Sequence, residues 1–252
     1  MIKIPVFLDN HSTTRVDPRV LDAMLPYFSE DYGNASSKAH EFGWKADSAV
    51  DSGRRKIANF LNADNREIYF TGGATEAINL AIKGIAEANS FKGNHIITTK
   101  VEHKAVLGTC KALERKGFEV TYLNTDMYGL VNPEQVLDSL TNKTILVSVI
   151  LANNEIGSIN NAAAIGKICR ERGVIFHTDA AQAVGKIPVD VDAMNIISRW
   201  LYRHRKDQTF VHIKRKRSKA DTIQTSTREV IRIIESLNQN EIQLSESVSA
   251  IS

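Results

Sequence analysis

The sequence has few cysteines, no long apolar run and, in one stretch, almost no acid. Two cysteines in 252 residues, Cys110 and Cys169, define neither a disulfide framework nor a metal cluster. They suit a reducing compartment, and no metal site is expected. Nothing approaches the roughly 18 consecutive apolar residues that a membrane span requires, so no membrane role is expected. The opening "MIKIPVFLDN" lacks the charged-then-apolar layout of a signal peptide. A cytoplasmic setting is therefore expected, or the mitochondrial matrix in a eukaryote, although no transit peptide is visible. No internal repeat is present, which excludes a solenoid.

The shortage of acid is local. Residues 199–219 hold nine Lys and Arg against one acid, Asp207, while the whole chain carries a net charge of only +3. That stretch accounts for the basic balance, and the remainder is near neutral. Its "KRKRSK" run at residues 214–219 reads as a solvated tail. With Phe210 as its only nearby aromatic, nucleic-acid binding is not expected.

What is present is ordinary for a globular protein, with 42% hydrophobic and 24% charged residues. Strand-like and helix-period segments alternate from residue 51 to 196. "IYFTGG" is a strand running into glycines, and "ATEAINLAIKGIAEA" a helix. "HIITT", "FEVTYLN", "TILVSVILA" and "VIFHTD" are further strands. "KAVLGTCKALERKG", "NPEQVLDSL" and "AAAIGKICRERG" are the helices between and after them. Short apolar strands alternating with helices predict βαβ units and a mostly parallel, doubly wound sheet. Residues 1–50 read as ordered loops around one helix, "PRVLDAMLPYF". Beyond residue 197 the alternation stops. Residues 197–252 read as a basic and polar tail with one helix over 225–239.

Ligands of open α/β sheets sit beyond the carboxyl ends of the strands, and four strand ends carry suitable residues. "TGGATEAIN" offers glycines and a helix start at Ala74 and Thr75, which suits a phosphate. His103 opens the helix after "IITT", where it could equally be a cap. The adjacent Asn153 and Asn154 follow an apolar strand, where their amides need partners. Asp179 ends the strand "VIFHTD", close to Gln182. A carboxylate there is either a helix cap or the partner of a cationic ligand nitrogen.

Taken together, "LDNHSTT", "YGNASSKAHEFGW", "FTGGATEAINLAIKG", "EHKAVL", "NNEIG" and "HTDAAQAVGKIPVDV" resemble the cysteine desulfurases, pyridoxal-phosphate enzymes of aminotransferase class V. The resemblance runs over about residues 4–196. It implies an α/β large domain of the PLP-dependent transferase fold type I, incomplete here and without the small C-terminal domain. It also implies roles. Ala74 and Thr75 would bind the phosphate of pyridoxal 5'-phosphate, and His103 would stack on the ring and assist proton transfer. Asn154 and Gln182 would hydrogen-bond around the phenolic oxygen and the substrate, and Asp179 would pair with the protonated ring nitrogen. Family members take sulfur from L-cysteine onto an enzyme cysteine as a persulfide, leave alanine, and serve iron–sulfur assembly or tRNA thiolation. The implied partners are a second copy of the chain and an iron–sulfur scaffold or other sulfur acceptor.

The pattern then fails. Counting without a gap from Asp179 places His204 at the family's histidine but Arg205 at its Schiff-base lysine, with Lys206 one residue late. An arginine stays protonated and cannot replace that lysine. Cys110 and Cys169 match no persulfide position and read as small core residues. The break near Ile197 therefore reads as a frame shift, a splice fault or a truncation that leaves the chain inactive, or as a non-catalytic dimerisation or scaffold fragment.

Overall fold

The computed structural model describes residues 6–9, 13–196, 198–202 and 209–213. Three helices come first: α1 (Pro18–Met24), α2 (Pro26–Ser29) and α3 (Glu41–Leu61). Pro26 divides the single helix expected over residues 18–28, because its ring cannot continue the preceding turn. The boundary expected at residue 50 falls inside α3, whose start is set by His40: its Nδ1 accepts the N–H of Gly43 at 3.2 Å. The first turns of α3 bury only Gly43 and Ala46, so their sequence shows no large apolar period. At the other end Asn62 caps the helix at φ 54°, a left-handed conformation that asparagine tolerates.

The remainder is a sheet with helices on both faces. Its strands are β1 (Ile68–Thr71), β2 (His95–Thr99), β3 (Glu119–Leu123), β4 (Thr144–Ser148), β5 (Ile175–Asp179), β6 (Ser198–Tyr202) and β7 (Thr209–Ile213). The helices are α4 (Ala74–Ala88), α5 (Lys104–Glu114), α6 (Pro133–Ser139) and α7 (Ala162–Glu171). The strand order is β1-β7-β6-β5-β4-β2-β3. Only β7 is reversed, being antiparallel to both β1 and β6, so the other six strands run the same way. The expectation of a mostly parallel α/β sheet holds.

Core residues divide by face. Ala77, Ile78, Ile82, Val106, Cys110 and Leu113 of α4 and α5 pack with Ile96 and Leu146. Val136, Ile165 and Cys169 of α6 and α7 pack with Ile97, Val147 and Phe176 on the other side. Both cysteines are buried in these clusters, as their sequence context suggests.

The sheet does not end where the alternation ends. β6 pairs in parallel with β5, from His177↔Ser198 to Asp179↔Trp200, and β7 joins it to β1. This corrects the expectation that residues beyond 197 contribute no strand. "SRWLY" and "TFVHI" are aromatic and β-branched segments of strand length, and a parallel β5 otherwise leaves an open edge. The helix expected over residues 225–239 lies outside the described residues. No helix among the described residues is long and apolar enough to cross a membrane.

Candidate functional site

Because β1, β2, β4 and β5 share one direction, the residues that follow them gather along one edge of the sheet. The chain moves from β2 outward to β3, then returns to place β4 on the opposite side of β2. The helices that follow these two strands lie on opposite faces, which makes this the switch point at which ligands of open α/β sheets bind.

After β1, Gly72 and Gly73 lead into α4. Gly73 is the N-cap and supplies no side chain, so the first amides of a 15-residue helix are not capped by it. Ala74 is half-buried and Thr75 exposed. Glu76 folds back, its Oε2 accepting the N–H of Gly72 at 2.6 Å. The end of β1 is thus a set of N–H groups with one carboxylate already drawn to it.

After β2 comes the turn that carries His103. It is the N-cap of α5, and its Nδ1 accepts the N–H of Ala105 at 3.2 Å. The capping and functional readings do not compete, because the cap uses one ring nitrogen.

After β4, the two asparagines separate. Asn153 is buried and structural: its Oδ1 accepts from Glu155 N at 2.9 Å and Ile156 N at 3.1 Å, and its Nδ2 donates to Val101 O at 3.0 Å. Asn154 is half-buried and donates to Glu155 Oε1 at 2.8 Å. The demand for amide partners at this position is met, and it leaves Asn154 as the one facing outward.

Asp179 ends β5 at 4% exposure. Its Oδ1 accepts the N–H of Ala181 at 2.9 Å, so the residue does serve as a local cap. Burial raises its pKa above the ordinary carboxylate value, while the Ala181 N–H and the nearby His103 act to lower it. His103 therefore lies near enough to Asp179 to act on it electrostatically. Gln182 is half-buried, and its Oε1 accepts from Lys186 Nζ at 2.6 Å.

Glu102 belongs to the same place, and reasoning from the sequence passed it over for its neighbour His103. It is 6% exposed, and burial pushes its carboxyl up to about 8. Its signal in the sequence was an acid three residues after a fully buried strand. Among the described residues there is no group of three or more His, Cys, Asp or Glu side chains that could hold a metal ion.

A parallel sheet with a helix start that no side chain caps, a buried acid and an imidazole at its strand ends is an α/β domain with a candidate ligand-binding edge. Comparison with known proteins gives the family. The family model described as "Aminotransferase class-V" matches residues 6–198. Among curated proteins, the cysteine desulfurase IscS of Anaeromyxobacter sp. (strain K) is 55% identical over 195 residues, which is 77% of this chain and 48% of the relative. The probable mitochondrial cysteine desulfurase of Dictyostelium discoideum is 54% identical over 194 residues, 77% of this chain and 43% of the relative. Among solved structures, SspA in complex with cysteine has a TM-score of 0.79 at 37% identity, covering 87% of this chain and 65% of that one. A NifS-like protein also has a TM-score of 0.79, at 33% identity, covering 92% of this chain and 70% of its own. The chain belongs to aminotransferase class V, and its residues 6–198 form a cysteine desulfurase family segment. It spans about half the length of the curated relatives it matches. The family match ends at Ser198, next to the point where the sequence loses its alternation.

Proposed function

We propose that this chain is the coenzyme-binding part of a cysteine desulfurase and takes up pyridoxal 5'-phosphate along the carboxyl edge of its sheet. The observation that carries the reading is Asp179, a carboxyl at 4% exposure whose burial disfavours its own charge. A cation beside it would restore the ionised form, and the protonated ring nitrogen of the coenzyme is such a cation. The residues fit the group. Ala74 and Thr75, at the start of α4, would hold the phosphate, His103 would pack on the ring, Asn154 and Gln182 would hydrogen-bond to the phenolic oxygen, and Asp179 would keep a proton on the ring nitrogen. When bound, the coenzyme supplies an electron sink for the substrate Cα. The protein's share is to keep that nitrogen protonated, exclude water from the crevice and carry protons through His103.

The substrate of this reading is L-cysteine, and the product sulfur passes to an iron–sulfur scaffold or another acceptor. SspA, one of the similar structures, is solved with cysteine bound. Turnover by this chain is not expected, since Arg205 stands at the covalent lysine's position and neither cysteine is placed to carry a persulfide. The test is coenzyme uptake by the purified chain, followed by absorbance. Asp179→Ala is expected to weaken binding about 10- to 100-fold, the scale of a charge-assisted hydrogen bond. Equal and negligible uptake by both proteins would sink the assignment. Borohydride reduction and peptide mapping address Lys206, and a coenzyme adduct there would restore a catalytic reading.

A second reading has its own observation. α1 and α2 bury none of their residues, and Phe28, Phe42, Trp44 and Phe60 are exposed. Large apolar side chains left in water favour association. A non-catalytic dimerising or scaffold role predicts that the chain co-purifies with a full-length relative; a strictly monomeric product would count against it.

A further inference from the structure

Glu102 lies one residue before His103, in the turn between β2 and α5. Its Oε1 accepts the N–H of Ile150 at 2.8 Å and the hydroxyl of Thr99 at 3.0 Å. Oε2 is buried and has no hydrogen-bond partner. Ile150 sits in the segment leaving β4, where the next residue, Leu151, donates its N–H to Asp179 O at 2.9 Å. A single carboxyl thus joins the ends of β2 and β4 at the switch of strand order, with the end of β5 attached one residue further on. Asn153 Nδ2 on Val101 O, at 3.0 Å, is a second tie between the same two segments.

The titratable groups acting on or near it are few. Asp179 reaches it from β5 and Cys110 from α5, while His103 adjoins it in sequence and acts on Asp179. Burial pushes Glu102 up to about 8, the Ile150 N–H opposes this, and the charge of Asp179 adds to the rise. A charged Glu102 would leave one oxygen bare in a dry site beside a second carboxylate. That is the costly state for a buried acid.

We propose that Glu102 is a positioning residue of the coenzyme site, a buried acid that fastens the His103 turn to the end of β4 and, through it, to the end of β5 at Asp179. The proposal rests on the coenzyme reading above. It assigns Glu102 no contact with coenzyme or substrate. Its work is done through the placement of His103 and the charge state of its surroundings.

Two measurements test it on the whole chain. The first needs no coenzyme: proton resonances of the histidine rings are followed against pH, with His103→Gln assigning the signal. In the unsubstituted protein the His103 resonance is expected to respond to the ionisation of Glu102 with an inflection near pH 8, and Glu102→Gln is expected to abolish it. The second is the coenzyme dissociation constant at pH 7. Glu102→Gln, which keeps an uncharged group and an acceptor for Ile150, is expected to bind within about twofold of the parent, and Glu102→Ala about tenfold more weakly or worse. Where the alanine variant fails to fold, Glu102→Asp takes its place, keeping the acid but not its reach. A missing inflection near pH 8, a Gln variant as weak as the Ala variant, or an Ala variant that binds like the parent would each overturn the proposal. If the parent itself takes up no coenzyme, the function proposed above fails, and the resonance titration still decides the state of Glu102.

Discussion

Ser148 Oγ and His177 Nδ1 lie 2.8 Å apart, facing one another from adjacent strands, and both residues are fully buried. Burial holds the His177 imidazole down to about 3. The unfolded chain binds this proton near the ordinary value of 6.5, whereas the folded chain refuses it until much lower pH. Stability is therefore lost as pH falls from about 6.5 towards 3. Urea midpoints should fall between pH 4.5 and pH 3, where the Glu102 contribution is already complete, and the slope there should flatten in His177→Gln.

Glu102 acts in the opposite direction. Its folded value is about 8 against an ordinary 4.5, so the folded state holds a proton that the unfolded state has already released. This stability is fully present below pH 4.5 and is lost as pH rises to about 8. Above pH 6.5, where His177 is neutral in both states, urea midpoints should drift down to about pH 8, and Glu102→Gln should remove the drift. Between pH 4.5 and 6.5 the two effects oppose one another, and the most level part of the curve is expected there.

Asn160 ties together two segments distant in sequence. Its Oδ1 accepts from Val131 N at 2.8 Å and its Nδ2 donates to Ile150 O at 2.9 Å. Asn160→Ala leaves both buried backbone groups without this side chain, which should cost about 2–4 kcal/mol. Denaturant unfolding at constant m-value checks the magnitude. Amide exchange should localise the loosening to Val131 and the residues after β4.

Two glycines of α3 should respond oppositely to alanine. A Cβ on Gly43 would run into the carbonyl of Ser37, so Gly43→Ala must displace the loop before the helix, at about 1–3 kcal/mol. A Cβ on Gly53 meets nothing nearby, so Gly53→Ala should stabilise the chain by about 0.5–1 kcal/mol. Thermal melting of the pair, run side by side, is sufficient.

Burial pushes both thiols up to about 12, and neither is accessible. A thiol-labelling reagent should find no reactive cysteine in the folded chain and two after denaturation. Rapid labelling of the folded chain at either position would reopen the question of a sulfur-carrying residue here.

Much of this architecture is readable from the sequence, because its signals are local. α4 begins after the glycines at Ala74, α5 after His103, and Asp179 closes β5, each at the position its strand or cap pattern indicates. The α3 boundary was not readable, since a helix that buries only glycine and alanine in its first turns shows no large apolar stripe. The strands at 198–202 and 209–213 were not readable either. Short aromatic and β-branched segments among basic residues become strands only when the neighbouring sheet offers an edge.

By itself, then, the sequence determined the alternating elements between residues 68 and 179 and placed Ala74, Thr75, His103, Asn154, Asp179 and Gln182 at or just after strand ends. The tertiary structure decided that β4 lies between β2 and β5, that Asn153 is sealed while Asn154 faces outward, and that Glu102 is buried beside Asp179. The physical reason is the range of the forces involved. Caps and hydrophobic periods act over a few neighbouring residues, whereas the desolvation of a polar side chain depends on which distant segments close over it.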